Sequence, residues 1–531
     1  MSKIPESRTF PRLVAELAHR YPERPAIVGS GRRIDYRALQ AETLRIARRL
    51  YQLDVAPGDK VAVLMGNQPE WISTVLAIVS LGAVAVPLNT WATPSELEYL
   101  ISHSDATLLV AAPSYLKSDY GQIMRGFEPL ATRFPLLRGI LGVGPAAALP
   151  AGWAPLFDGA TDSETVGDAA LAAVFAAVQP DDVALILYTS GSTAAPKGVQ
   201  LQHRGLIENS WATGERQRIT EHDKLWLGVS LFWGMASATA LWNIIAHGAC
   251  VVLQEHFDAG EALRLIEAER CSVFYGTPNM IQAMFEHPER PARDLSSLRT
   301  GGTSGMREHM LRAMELGITQ ICNIYGLTES HGHTHMSDAG DSAEQRAANQ
   351  GRLMPGFQAK VVDATGAEVA PGTVGELLLK GYITAGYYKQ EELTAQSYDA
   401  DGYFRTGDLV CMDEQDCMQF RGRLKEMIKS GGINISPVEV EFMLKKYPGV
   451  AMAQVVGVPD PVQNEILAAV IVPLEGVTLD SEAIIGFCRV NMAAYKVPRL
   501  LRIVREAELP LTTTGKYQKN KLAETFFGGQ Q

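Results

Sequence analysis

The segment Tyr188-Thr-Ser-Gly-Ser-Thr-Ala-Ala-Pro-Lys-Gly198 concentrates side chains that can hold an anion. Thr189, Ser190, Ser192 and Thr193 place hydroxyls around Gly191, where backbone can approach a ligand closely, and Lys197 adds a cation. Donors gathered at the carboxyl end of a strand suit the phosphates of a nucleotide. This is not a Walker A loop, because Pro196 stands where that motif requires glycine before its lysine. A solvated serine–threonine turn is the plain alternative. Four further segments carry groups of related chemistry. Gly301-Gly-Thr-Ser304 follows an expected strand, and Asn323-Ile-Tyr-Gly-Leu-Thr-Glu329 joins an aromatic ring, a hydroxyl and a carboxylate. Thr406-Gly-Asp-Leu409 sets a carboxylate in a turn, and Thr512-Thr-Thr-Gly-Lys-Tyr517 presents Lys516 in a C-terminal loop.

The elements that must position these groups are legible as alternating apolar runs and helix-period segments, which predict an α/β fold. The run Val183 to Tyr188 reads as a buried strand leading into the hydroxyl-rich loop. Val61 to Met65, Leu108 to Ala112 and Ala249 to Leu253 read as strands of the same kind, with a helix starting near Pro69. Residues 144 to 170, rich in Gly, Ala, Pro and Asp, read as a surface connection. From about 350 to 423 short alternating strands and turns predict a small β-subdomain. Ser436-Pro-Val-Glu439 predicts a capping box opening a helix that runs to Tyr447, where Pro448 and Gly449 stop it. Strands are expected at Ala453 to Val458 and Ile466 to Val472. The main boundary falls near 424, dividing a body of residues 1–423 from a C-terminal domain of residues 424–531, about 100 residues and a usual domain size.

A chain of 531 residues with 46% apolar content can bury more than one core. A net charge of −11 without a basic tract argues against nucleic acid as a partner. The six cysteines form no CxxC pair and suit reduced thiols. The N-terminus has no apolar secretory core, and the longest apolar stretch, Val75 to Leu88, is too short to span a bilayer. A cytoplasmic protein without a membrane span is expected.

The five segments in this order, with Val456-Gly-Val-Pro-Asp460 and Tyr495-Lys-Val-Pro498, resemble the adenylate-forming acyl-CoA synthetase superfamily over nearly the whole chain. That resemblance implies a large N-terminal part of two α/β subdomains plus a β-barrel-like subdomain, and a small mobile α+β C-terminal domain. It implies an AMP-forming ligase of the acyl-CoA synthetase or aryl-CoA ligase branch, using ATP, Mg²⁺ and coenzyme A on a small carboxylic acid. Thr189, Ser190, Gly191, Ser192, Thr193 and Lys197 would hold the outer phosphates. Gly301, Gly302, Thr303, Tyr325 and Gly326 would bound the adenine. Thr328 would contact the α-phosphate, Glu329 would bind Mg²⁺, and Asp408 with Arg423 would hold the ribose. Lys516 would stabilise the charge that builds when a carboxylate attacks phosphorus. Lys425 would be the hinge, and Gly431 and Gly432 would line the pantetheine tunnel.

The chain departs from the family pattern at Ala194 and Asp416, both commonly glycine, and at Trp233, where many relatives have histidine. Trp233, Tyr275, Ser330 and His331 are expected at the acyl pocket wall, which suits an aryl, cyclic or medium-chain acid. The run Ser330-His-Gly-His-Thr-His335 alternates histidines without carboxylate or cysteine partners in register, so it is not read as a metal site. A carrier protein instead of CoA as acceptor, an adenylate-using oxidase, and a silent nucleotide-binding scaffold are the rival readings. The chain is expected to work as a monomer or homodimer.

Overall fold

The computed structural model describes residues 5–157, 168–189, 196–430, 433–460, 463–492, 496–511 and 517–528. They form two compact units, and the chain crosses between them more than once. The first comprises Met1–Gln358, Leu379–Phe404 and Asp416–Met418; the second comprises Ala359–Leu378, Arg405–Gln415 and Gln419–Gln531.

Two sheets organise the first unit. A nine-stranded sheet runs in the order Arg352–Leu353, Gly332–Met336, Gln320–Leu327, Thr300–Thr303, Val273–Tyr275, Lys224–Leu227, Cys250–Leu253, Pro25–Gly29, Arg32–Asp35. Its centre is parallel from Gln320–Leu327 through to Pro25–Gly29. Parallel pairing buries both faces, which is why Cys250–Leu253 and Val273–Tyr275 are apolar without alternation. A seven-stranded sheet runs Lys197–Gln202, Val183–Thr189, Val84–Pro87, Lys60–Leu64, Ala106–Ala111, Gly139–Gly142, Ala154–Pro155. The helix Pro69–Ser80 buries every residue except Glu70. A helix apolar on all sides belongs inside a core, and its Trp71, Val75 and Leu76 share one with Phe10, Trp242 and Tyr275.

In the second unit a four-stranded sheet, Gln358–Val362, Val374–Lys380, Phe404–Met412 and Met418–Arg423, precedes a five-stranded one. The latter is built on the long antiparallel pair Val450–Asp460 and Asn464–Pro473. Its period-2 alternation serves two cores. Ala453, Val455 and Ala469 pack with Val440, Leu444, Ile484 and Cys488, while Val456, Ala468 and Val470 pack with Leu522 and Phe527.

Three local expectations fail. The helix after Ser436 spans Pro437–Leu444, shorter than expected, and the capping box is absent. The Ser436 hydroxyl instead donates to the Arg421 carbonyl at 2.6 Å, and Glu439 pairs with Lys496. The hydroxyl is turned toward a tertiary acceptor rather than accepting from the Glu439 N–H. The stretch read as a small β-subdomain also contains the helix Glu391–Gln396. Asp416, at a position where the family commonly has glycine, adopts left-handed backbone with φ of 58°.

Candidate active site

Parallel strands present their carboxyl ends on one edge of a sheet, and that edge is where open α/β sheets bind ligands. Here it collects Tyr275, Thr303 and the turn after Leu327, because the register pairs Tyr275 with Gly302 and Thr303 with Asn323. Close pairing explains the glycines. Gly301 has φ of 142°, and a Cβ there would stand 1.8 Å from the Phe274 carbonyl oxygen. A Cβ on Gly302 would meet the Tyr275 ring at 2.7 Å, and one on Gly326 would meet the Gly332 carbonyl oxygen at 2.0 Å. Each glycine is therefore required by the sheet itself.

The turn Thr328–Ser330 carries the reactive-looking pair. Glu329 is half-buried, and its Oε1 accepts from the Tyr387 hydroxyl at 2.9 Å. Burial first, and the Glu329 carboxylate second, push the Tyr387 phenol well above its ordinary pKa, so it stays a donor. The Lys197 ammonium lies 5.2 Å from the centre of the same ring, a cation–π distance. Lys197 opens the strand that returns from the hydroxyl-rich loop, directly opposite Thr189. One tyrosine thus connects the base of that loop to the carboxylate expected to hold Mg²⁺. The backbone reinforces the link: Thr384 donates its N–H to the Glu329 carbonyl and its hydroxyl to the Gln200 carbonyl, at 2.6 and 2.7 Å.

Thr328 is close to the segment that begins at Trp233. A Cβ on Gly234 would stand 3.1 Å from Thr328 Oγ1. Trp233 is half-buried and packs edge-on against Trp91 at 5.4 Å, with Phe232 completing an aromatic group. The chain then enters the π-helix Met235–Ala240, a form associated with functional sites. The three other residues expected at the pocket wall are buried and hydrogen-bonded. Tyr275 is fully buried and accepts from Gln217 Nε2 at 2.7 Å, with its ring parallel to His333. Ser330 Oγ contacts the Leu327 and Gly332 carbonyls and accepts from the Leu327 N–H. His331, in left-handed backbone, accepts from the Gln202 N–H at Nε2 (2.7 Å) and places Nδ1 3.2 Å from the Tyr382 carbonyl. Burial lowers its pKa to about 4, so the ring is neutral and Nδ1 carries the proton. Its place is between the two sheets, where it holds the hairpin against the Glu329 turn.

Among the described residues, two buried oxygens on this edge have no partner, Thr303 Oγ1 and Asn323 Oδ1. A buried acceptor without a donor costs about 1–3 kcal/mol, which a bound heterocycle carrying an amino group would recover. Tyr325, nearly buried and adjacent in the strand, supplies a ring beside them. These acceptors therefore fit the amino group of an adenine. In the second unit Asp408 is buried and pairs with Arg423 Nε at 3.1 Å. Its N–H donates to Thr406 Oγ1, which in turn donates to the Leu377 carbonyl. Ser190, Gly191, Ser192, Thr193, Gly431, Gly432 and Lys516 lie outside the described residues, as does the side chain of Lys425. Among the described residues no group of three His, Cys, Asp or Glu is arranged to hold a metal, and no helix is long and apolar enough to cross a membrane.

Residues 14–388 match the AMP-binding enzyme family model, and residues 439–516 match the model of the AMP-binding enzyme C-terminal domain. The chain belongs to the AMP-binding enzyme family. Within that family it is 34% identical to YngI of Bacillus subtilis (strain 168), described as an acyl-CoA synthetase, over 97% of this chain and 96% of the relative. It is 32% identical to a feruloyl-CoA synthase of Amycolatopsis sp over 95% of this chain and 96% of that one. Among solved structures the anthranilate CoA ligase AuaEII, in complex with anthranoyl-AMP, superposes with a TM-score of 0.82 at 25% identity, covering 98% of each chain. The family fold has a large N-terminal and a small C-terminal domain. Sequence reasoning missed Tyr387 and the bridging role of His331. The signal for the first was its place in Ile383-Thr-Ala-Gly-Tyr-Tyr-Lys389, a glycine-aromatic cluster where plain strand patterning stops.

Proposed function

We propose that the protein is an ATP-dependent, AMP-forming carboxylic acid:CoA ligase. The observation that carries this reading is the convergence at Thr328 and Glu329. Glu329 is joined through Tyr387 to Lys197 at the loop base, and Thr328 faces Gly234 beside the aromatic group. Phosphate-binding, metal-binding and acid-binding elements then meet at one turn.

In the first half-reaction a carboxylate oxygen attacks the α-phosphorus, forming the acyl–O–P bond and expelling pyrophosphate. Glu329 would hold Mg²⁺, a hard cation suited to carboxylate and phosphate oxygens, which neutralises charge on the triphosphate. Its half-buried carboxylate, oriented by the Tyr387 hydroxyl, fits that role. Thr328 donates to the α-phosphate, Thr303 and Asn323 receive the adenine, and Asp408 accepts from the ribose hydroxyls with Arg423 alongside. Lys516 supplies the cation opposite the developing charge. In the second half-reaction the CoA thiolate attacks the acyl carbon and AMP leaves. We place the hinge at Lys425 and the pantetheine passage at Gly431 and Gly432, with residues 424–531 rotating between the half-reactions and residues 1–423 as the body.

The acid is assigned as aryl, cyclic or medium-chain. Trp233, with Trp91 and Phe232 around it, narrows the approach to Thr328, and relatives named for feruloyl and anthranilate substrates accord with an aromatic wall. Incubation of the protein with ATP, Mg²⁺, CoA and a panel of such acids tests the assignment by product analysis. AMP, pyrophosphate and an acyl thioester in equal amounts are expected. ADP and phosphate, or a preference for unsubstituted long-chain acids, would overturn the reaction or the acid class respectively.

A further inference from the structure

One helix holds both ends of the hydroxyl-rich loop. The helix Pro94–His103 is fixed at its start by a capping box, with Thr93 Oγ1 accepting from the Glu96 N–H and Glu96 Oε2 accepting from the Thr93 N–H. Its Tyr99 and His103 are four residues apart and so lie on one face; their rings are 5.1 Å apart. The Tyr99 hydroxyl donates to the carbonyl of Pro196, just before Lys197 on the returning side. His103 Nδ1 is 2.8 Å from the hydroxyl of Tyr188, just before Thr189 on the outgoing side. Burial drives the Tyr188 phenol far above its ordinary pKa and lowers that of His103, so the contact joins two neutral groups.

The residues that follow extend the grip. Asp105 accepts from the Tyr388 hydroxyl at 2.8 Å and pairs with Lys389 at 2.7 Å. Tyr388 in turn donates its N–H to the Gly198 carbonyl at 2.8 Å. Antiparallel pairing of Thr189 with Lys197 already closes the hairpin, so these side-chain bonds are not needed to form it. They fix where its two ends stand in the unit.

We propose that Tyr99 and His103 are positioning residues for ATP: they set the placement of Thr189 and Lys197, and through them the outer phosphates. The proposal rests on the reading of this loop as the triphosphate site. It predicts an effect confined to the half-reaction that uses the β- and γ-phosphates.

Two assays on the full chain separate the half-reactions: ATP–pyrophosphate exchange, and thioester formation from a supplied acyl-adenylate and CoA. Tyr99→Phe and His103→Leu should each raise the KM for ATP by roughly five- to tenfold, the effect of one lost neutral hydrogen bond. Thioester formation from the acyl-adenylate should stay within about twofold of the parent. His103→Gln, which keeps a polar group able to bond the Tyr188 hydroxyl, should recover part of the loss. Tyr188→Phe should raise the KM for ATP too, and adding it to His103→Leu should cost little more, because both remove the same bond. Equal losses in both half-reactions, or an unchanged KM for ATP, would overturn the proposal. Lys197→Ala and Thr193→Ala identify which idea has failed. If they too leave the KM for ATP unchanged, the loop is not the triphosphate site and the proposal falls with that reading. If they raise it while Tyr99→Phe and His103→Leu do not, the positioning role alone falls.

Discussion

Tyr387 links a cation to a carboxylate through a neutral ring, and the link is directional: the phenol can only donate to Glu329. Hydrogen bonds to charged acceptors contribute about 1.5–3 kcal/mol. Tyr387→Phe keeps the ring under Lys197 and removes that bond, so adenylation should fall by roughly ten- to a hundredfold. The Mg²⁺ concentration for half-maximal rate should rise with it, as followed by pyrophosphate release. Gly301 makes the opposite kind of prediction. With φ of 142° and Phe274 oxygen 1.8 Å from any added Cβ, Gly301→Ala must push strands apart. A loss above about 4 kcal/mol is expected, read as a large drop in melting temperature or as insoluble expression. The glycine pair was visible in the sequence, but its reason was not. Glycine marks close approach, and only the pairing register says that what approaches Gly301 is the neighbouring strand.

Strands such as Lys60–Leu64 and Val183–Thr189 were legible because burial on both faces demands an uninterrupted apolar run. The helix Glu391–Gln396 was not, since its six residues, Glu-Glu-Leu-Thr-Ala-Gln, give no amphipathic period. Histidines were the least legible. His331 read as a pocket-wall residue and His333 and His335 were given no role; every histidine from His331 to His335 is buried, as is His203 at the head of its helix. Their burial has a consequence for stability. Burial lowers the pKa of His331 and His333 from 6.5 to about 4, and of His203 and His335 to about 3. Between those values and 6.5 the unfolded chain binds protons that the folded chain refuses, so stability falls as pH falls. The slope reaches about 1.4 kcal/mol per pH unit for each fully coupled histidine. Thermal denaturation should show the melting temperature dropping steeply from pH 6.5 toward pH 4. Replacing His335 with Gln should flatten that slope, and an unaltered slope would remove His335 from the set.

At the scale of the whole molecule, segments from Thr189 to Glu329 lie in the first unit and Asp408 with Arg423 in the second. Lys516 should serve only the first half-reaction. Lys516→Ala is expected to lower adenylation by several orders of magnitude, to leave ATP binding nearly unchanged, and to spare thioester formation from a supplied acyl-adenylate. Loss of both half-reactions would assign the lysine to structure instead. The claim beneath all of this is that the acid's own oxygen becomes bonded to the α-phosphorus. A carboxylic acid labelled with ¹⁸O in its carboxylate, turned over with ATP and CoA, tests it directly by mass spectrometry of the nucleotide product. One ¹⁸O atom in AMP is the expected result; unlabelled AMP, or label in inorganic phosphate, would contradict the acyl-adenylate.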